Sequence, residues 1–306
     1  MSQAPPVIET RNLTCRFGRT EAVHGLNFRV EPGTVCALLG HNGAGKSTTM
    51  HLLLDMLRPT SGEALVFGKP ARHLTEVDRA RIGWVADNHD LPGWMTVKTY
   101  LRFLQPMYPG WDEAFCGKLQ KLFALPLDRR IRHLSRGQRM KAAFLGALSY
   151  HPRLLLLDEP FSGLDPAVRE DLMDAIMDLT QQEEWTVLLS SHDMDEVERL
   201  ADQIAVMENG RLLFHESIET LLNRCRSVQA LCGLDRLPAG LPSNWIGLRL
   251  RDGELQFIDT GFDEAKLAAD LAIHIPNGPA PEVGRIGLKP LCAALIRARN
   301  SNADES

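Results

Sequence analysis

One octet constrains this chain more than any other feature: Gly40-His41-Asn42-Gly43-Ala44-Gly45-Lys46-Ser47, which lies between two segments of different periodicity. Before it, TVCALLG is a short apolar, β-branched run suited to a buried strand; after it, KSTTMHLLLDML has helical spacing and stops before Pro59. Glycines allow a loop to turn its backbone N–H groups inward around an anion, where side chains would obstruct it. The helix that follows points its positive end at the same place. The octet matches GxxxxGK[ST] in a strand–loop–helix context and therefore reads as a phosphate-binding loop, with Lys46 a point charge for the outer phosphates and the Ser47 hydroxyl placed for Mg²⁺.

The rest of the chain extends this pattern. Val7 to Val30 reads as short strands that end at the turn Glu31-Pro32-Gly33. Amphipathic spacing from about Thr75 to Leu125, interrupted by Pro92-Gly93, Pro106 and Pro109, indicates a helical subdomain, taken over about 88–150. Two more buried strands, RLLLLDE and WTVLLSSH, flank a helix from about Pro166 to Glu183, and such alternation implies parallel strands joined by crossover helices. After Phe214 short strand-like pieces (SVQALC, WIGLRLR, ELQFID) and a helix near Asp263 to Ala272 suggest a separate α+β extension, so the expected domains are 1–215 and 216–306.

Composition narrows the partners. A formal net charge of -5 with both signs intermixed provides no basic surface for phosphate backbones, so nucleic acid is not an expected partner. No apolar run approaches the roughly 20 residues that cross a bilayer, and MSQAPPVIETRNLTCRF lacks the basic start and apolar core of a secretory signal. The six cysteines show no CxxC spacing, which fits reduced thiols in a cytosolic protein.

The second chemical element is LLLLDEP, which delivers Asp158 and Glu159 to the carboxyl end of a buried strand, where ligands of open α/β sheets bind. Asp158 suits the Mg²⁺ shell and Glu159 the role of general base toward water. Alone, such a pair could also be a solvated loop. His192 follows TVLLSS and lies at another strand carboxyl end, within reach of an outer phosphate, although a lone histidine is more often structural.

These elements, in this order, resemble the ATP-binding cassette ATPases that drive membrane transporters, over about residues 7 to 215. The resemblance implies a P-loop NTPase cassette with a mainly parallel sheet, an antiparallel N-terminal β subdomain and a helical subdomain, using ATP and Mg²⁺. LSRGQ at Leu134 to Gln138 looks like the family signature, SGLD at Ser162 to Asp165 like the loop that crosses a dimer interface, and His192 like the switch histidine. Phe17 before Gly18 is similar to the aromatic that stacks on adenine. The nucleotide-binding set implied is Phe17, Gly40 to Ser47, Thr48, Ser135, Gly137, Gln138 and Asp165, with Glu159, His192 and Asp87 catalytic and Ser47, Asp158 and Asp87 on the metal. In the family two cassettes face each other head to tail, so Ser135, Gly137 and Gln138 would contact the nucleotide bound opposite. One phosphate loop and one signature per chain then call for a homodimer or a heterodimer with a second cassette.

Two positions depart from the family pattern. Asp87, in IGWVAD, stands where a glutamine is common, and Arg136 replaces the first glycine of the signature. LSRGQRMK, the WMTV segment and the C-terminal extension resemble bacterial exporter cassettes whose membrane permease is a separate chain. NHDLPGWMTVKTYLRF lies where such a permease docks, with Trp94 and Met95 as candidate contacts or, equally, as members of a packing cluster. The expectation is a cytoplasmic ATPase, peripheral on the inner face of the membrane. The alternatives are a soluble cassette ATPase acting on a macromolecular complex and a regulatory ATP-binding module with slow turnover.

Overall fold

The computed structural model describes residues 5–87, 90–183, 185–234, 236–238, 240–275 and 278–303. The chain divides into two compact units, Met1–His215 and Glu216–Ser306.

The first unit opens with the antiparallel pair β1 (Ile8–Phe17) and β2 (Thr20–Val30). Along β2, buried Leu26, Phe28 and Val30 alternate with exposed Asn27 and Arg29, the two-residue period of a sheet with one wet face. Next come β3 (Val35–Leu39) and α1 (Lys46–Leu53). β4 (Ser61–Val66) and β5 (Lys69–Pro70) complete a four-stranded sheet in the order β2-β1-β4-β5.

The one-turn helix α2 (Glu76–Arg79) leads into β6 (Ile82–Ala86). The helices α3 (Val97–Leu104), α4 (Glu113–Leu122) and α5 (Arg136–Leu148) then pack around Phe115, Leu119, Phe144 and Leu145. The chain returns through β7 (Leu154–Asp158), α6 (Pro166–Glu183), β8 (Thr186–Ser191), α7 (Met194–Leu200), β9 (Gln203–Glu208) and β10 (Arg211–Ser217). The second sheet runs β10-β9-β3-β8-β7-β6, with β9, β3, β8, β7 and β6 in parallel pairing. β7 and β8 are buried along their whole length, so they read as unbroken apolar runs rather than alternating ones.

The helical period read from Thr75 is corrected here: after one turn of α2 the chain enters β6, which pairs in parallel with β7. A five-residue run such as IGWVA cannot reveal its period, and its state is decided by the neighbour it finds. The β6–β7–β8–β3 register aligns Ala86 with Asp158, Asp158 with Ser190, and Ser190 with Leu38. Asp87, Glu159, Ser191 and Leu39 follow these row residues, at one carboxyl edge of the sheet.

The second unit comprises α8 (Ile218–Arg224), β11 (Arg226–Leu231), β12 (Trp245–Arg251), β13 (Glu254–Asp259), α9 (Glu264–His274), β14 (Glu282–Gly284) and α10 (Leu288–Ala303). Its antiparallel sheet has the order β12-β13-β11-β14. Asp252 and Gly253 join β12 to β13 with φ 50 and 74, the two positive values that a tight hairpin demands of an Asp-Gly pair. Trp245 stacks on Phe257 with centroids 4.1 Å apart, within a core that includes Val228, Leu255 and Leu267.

Candidate functional site

The phosphate loop joins β3 to α1, and its backbone leaves no room for side chains at two glycines. A Cβ on Gly40 would lie 2.5 Å from the Met207 carbonyl oxygen and 2.8 Å from the Ala44 Cβ. One on Gly45, at φ 103, would lie 2.4 Å from the Ala22 carbonyl oxygen. The loop is closed by the Ala44 N–H donating to the His41 carbonyl at 3.1 Å. Lys46, 6% exposed, donates to the carbonyls of Gly40 at 2.6 Å and His41 at 3.3 Å. A buried ammonium needs such partners to offset its lost hydration.

Asp158, at the end of β7, accepts from Ser190 Oγ at 2.6 Å and from Ser47 Oγ at 3.0 Å. Glu159 follows in the left-handed region at φ 50, a conformation costing roughly 1–3 kcal/mol for a residue with a Cβ. Its N–H donates to Ser190 Oγ at 2.9 Å and is also 3.3 Å from the Ser190 carbonyl oxygen, which holds the residue there. The side chain then spans two partners: Oε2 lies 2.5 Å from His192 Nδ1 and Oε1 lies 3.0 Å from Lys46 Nζ. That second contact is a charge pairing without hydrogen-bond alignment, and Oε1 is a buried oxygen with no hydrogen-bond partner among the described residues.

Asn42, Ser47, Asp87, Asp158, Glu159 and His192 line one open cleft of 570 Å³, with Trp84 and His51 on its wall. A backbone bond from the Asp87 N–H to the Asp158 carbonyl, 2.9 Å, anchors Asp87 beside the acidic pair. The donor set near Ser47 is a hydroxyl and a carboxylate, hard oxygen ligands of the kind Mg²⁺ takes together with waters and substrate phosphates. The glycine cradle, the buried lysine and these oxygens fit a magnesium-bound nucleoside triphosphate.

Other expected site residues lie elsewhere on the same unit. Phe17 is 50% exposed at the end of β1, unusual for a strand phenylalanine, and Thr48 is half-buried in the first turn of α1. Ser135 and Gln138 form a capping box at the start of α5: Gln138 N–H donates to Ser135 Oγ at 3.2 Å and Ser135 N–H to Gln138 Oε1 at 3.1 Å. Gly137 has a packing reason of its own, since a Cβ there would lie 2.7 Å from Val168 Cγ1. Asp165 is exposed and accepts the Ala167 N–H at 3.0 Å.

The structure separates Trp94 from Met95. Trp94 is 70% exposed, whereas Met95 is buried in the core of the helical subdomain, so Met95 is a packing residue and not a surface contact. Asn88 and His89 of the same segment lie outside the described residues.

Sequence reasoning missed Ser190, the fully buried hydroxyl that positions both carboxylate residues. Its signal was the pair of serines that closes a largely apolar strand. Also missed was a network behind His192, in which Arg169 pairs with Asp193 at 2.5 Å and Glu196 at 3.2 Å while Ser191 donates to Glu196. Burial pushes the Glu196 carboxyl above its ordinary pKa, against the opposing pull of Ser191 and Arg169. The arginine keeps its guanidinium firmly charged through Asp193 and Glu196, in spite of its own burial.

Fold and site together define a P-loop ATPase cassette, and comparisons with known proteins agree. The family described as ABC transporter matches residues 23–162, and a second, described as an AAA domain, matches 127–198. The osmoprotectant import ATP-binding protein OsmV of Salmonella typhimurium is 33% identical over 75% of this chain and 64% of its own length. The bacitracin transport ATP-binding protein BcrA of Enterococcus faecalis is 31% identical over 72% of each chain. The energy-coupling factor transporter ATP-binding protein EcfA of Methanoculleus marisnigri is 37% identical over 71% of this chain and 82% of its own. Among solved structures, an ATP binding subunit of an ABC transporter superposes with TM-score 0.64 at 27% identity, covering 71% of this chain and 92% of that one. The chain belongs to the ATP-binding subunits of ABC transporters.

Proposed function

We propose that the chain binds ATP with Mg²⁺, hydrolyses it within a head-to-tail pair of cassettes, and thereby drives a separate integral membrane permease, working as an exporter. The observation that carries this reading is the convergence of Ser47, Asp158, Glu159 and His192 on one cleft at the carboxyl edge of the parallel sheet, with buried Lys46 paired to Glu159 behind it.

A bound Mg²⁺ would supply charge neutralisation for the outer phosphates in that cleft. Ser47 Oγ and the Asp158 carboxylate would hold it, with Ser190 fixing the Asp158 rotamer. Lys46 exchanges its carbonyl partners for phosphate oxygens. Glu159 Oε1, buried and without a hydrogen-bond partner, is the lone-pair site that takes the proton from the attacking water. His192 Nδ1 orients the other oxygen of the same carboxylate.

One phosphate loop and one LSRGQ in the chain support a homodimer or heterodimer, in which the N-terminus of α5 approaches the nucleotide of the neighbouring cassette. Phe17, exposed, is available to stack on adenine. Trp94 supports a docking site for the permease. The location proposed is peripheral, against the permease on the inner face of the membrane. The export direction rests on the resemblance of LSRGQRMK and the C-terminal extension to exporter cassettes; the relatives named above include an import protein.

Purified protein should hydrolyse ATP, and Glu159→Gln should lower kcat by about 10²–10⁴-fold while retaining nucleotide. With ATP, the Glu159→Gln protein should co-purify from membranes with an integral membrane protein. Recovery of ribosomes or DNA instead would overturn the transport reading, and an ATPase rate untouched by Glu159→Gln would overturn the catalytic assignment.

A further inference from the structure

The two residues that depart from the family pattern are partners. The Arg136 guanidinium, on the first turn of α5, forms an ion pair with the Asp87 carboxylate at the end of β6. The same guanidinium lies over Gly163, where a Cβ would be 2.5 Å from Nη1 and 2.8 Å from Cζ. Gly163 is in the loop between Glu159 and α6, at φ 59. One side chain therefore joins the start of α5, the edge of the nucleotide cleft and the loop that follows the candidate base.

Electrostatics explains the direction in which Asp87 leans. It is shared by two recesses: the nucleotide cleft, lined by Asp158 and Glu159, and a second one, lined by Arg132, Arg136 and Arg139. A carboxylate placed between two other carboxylates and three guanidinium groups is repelled by the first and attracted by the second. The exposed Asp90 lines both recesses and does not change that balance.

We propose that Asp87 acts as the anchor of Arg136, coupling α5 and the Gly163 loop to the cleft, and not as a ligand of the metal. Among the described residues, Ser47 and Asp158 would then be the ones that hold the metal. This rests on the functional reading above as regards nucleotide, but the coupling itself is a property of the chain without nucleotide. The side chains of the pair are 46% and 27% exposed, so its loss shifts an equilibrium by about twofold to fivefold.

The test is a double-mutant cycle of Asp87→Asn and Arg136→Gln, read in two ways. In nucleotide-free protein, hydrogen exchange at the Gln138 and Arg139 amides, both bonded to Ser135, should quicken about twofold to fivefold in each single variant, and no further in the double. Arg136→Lys, which keeps the charge, should recover part of the protection. In ATP hydrolysis, half-saturation by Mg²⁺ should stay within twofold of the unmodified chain in both single variants. Exchange left unchanged, or additive effects in the double, would overturn the coupling. A tenfold rise in the Mg²⁺ requirement with Asp87→Asn and none with Arg136→Gln would overturn the assignment and make Asp87 a metal ligand. Absence of hydrolysis in the unmodified chain would sink only the functional reading, because exchange still decides the ion pair.

Discussion

Ser190→Ala tests the positioning of the acidic pair most directly. Ser190 is fully buried and its hydroxyl has two duties, donating to Asp158 Oδ1 at 2.6 Å and accepting from the Glu159 N–H at 2.9 Å. A hydrogen bond to a charged group contributes about 1.5–3 kcal/mol. The lost amide bond costs less than a stranded donor, because the Ser190 carbonyl remains 3.3 Å from the same N–H. Asp158 also keeps Ser47 at 3.0 Å. The expected loss is therefore about 2–3 kcal/mol, which for a unit of this size lowers Tm by about 4–12 °C. Thermal unfolding in the absence of nucleotide measures this term. Because Asp158 loses the group that sets its rotamer, half-saturation by Mg²⁺ should rise roughly tenfold in the ATPase assay. A variant with less than about 1 kcal/mol of destabilisation and an unaltered Mg²⁺ requirement would refute the argument that Ser190 orients the carboxylates.

Further outcomes follow from the same geometry. Gly40→Ala places a methyl 2.5 Å from the Met207 carbonyl, a backbone clash that cannot be relieved by a rotamer; stability should fall by about 1–3 kcal/mol and ATP binding should be lost in an equilibrium-binding assay. Phe17→Ala removes a ring that is 50% exposed, so unfolding should change little while ATP affinity, followed by calorimetry, drops about tenfold. For Glu196, burial raises the folded-state pKa above the unfolded value of about 4.3. Its contribution to stability is therefore full below that value and is lost as pH rises through the raised folded-state pKa. The stability of the unmodified chain minus that of Glu196→Gln should decline across that window and level off above it; a difference that grows with pH would contradict the burial argument.

The primary sequence alone determined the local chemistry. A strand, GHNGAGKS and a helix in succession allow one backbone solution around an anion, because the glycines at 40 and 45 have no space for a Cβ and the helix starts at Lys46. The apolar runs ending in Asp158 and Ser191 were legible as buried strands, since a strand covered on both faces tolerates no alternation. What required the tertiary structure was everything set by parallel register and by distant partners. β6 was hidden because five residues carry no readable period; Ser190 was hidden because its role exists only opposite Asp158. The burial of Met95 beside an exposed Trp94 depends on which way each points from one turn, and the pairing of Asp87 with Arg136 joins residues far apart in the chain. Contacts between distant segments are made by the sheet and the helices packed on it, and neither composition nor spacing records them.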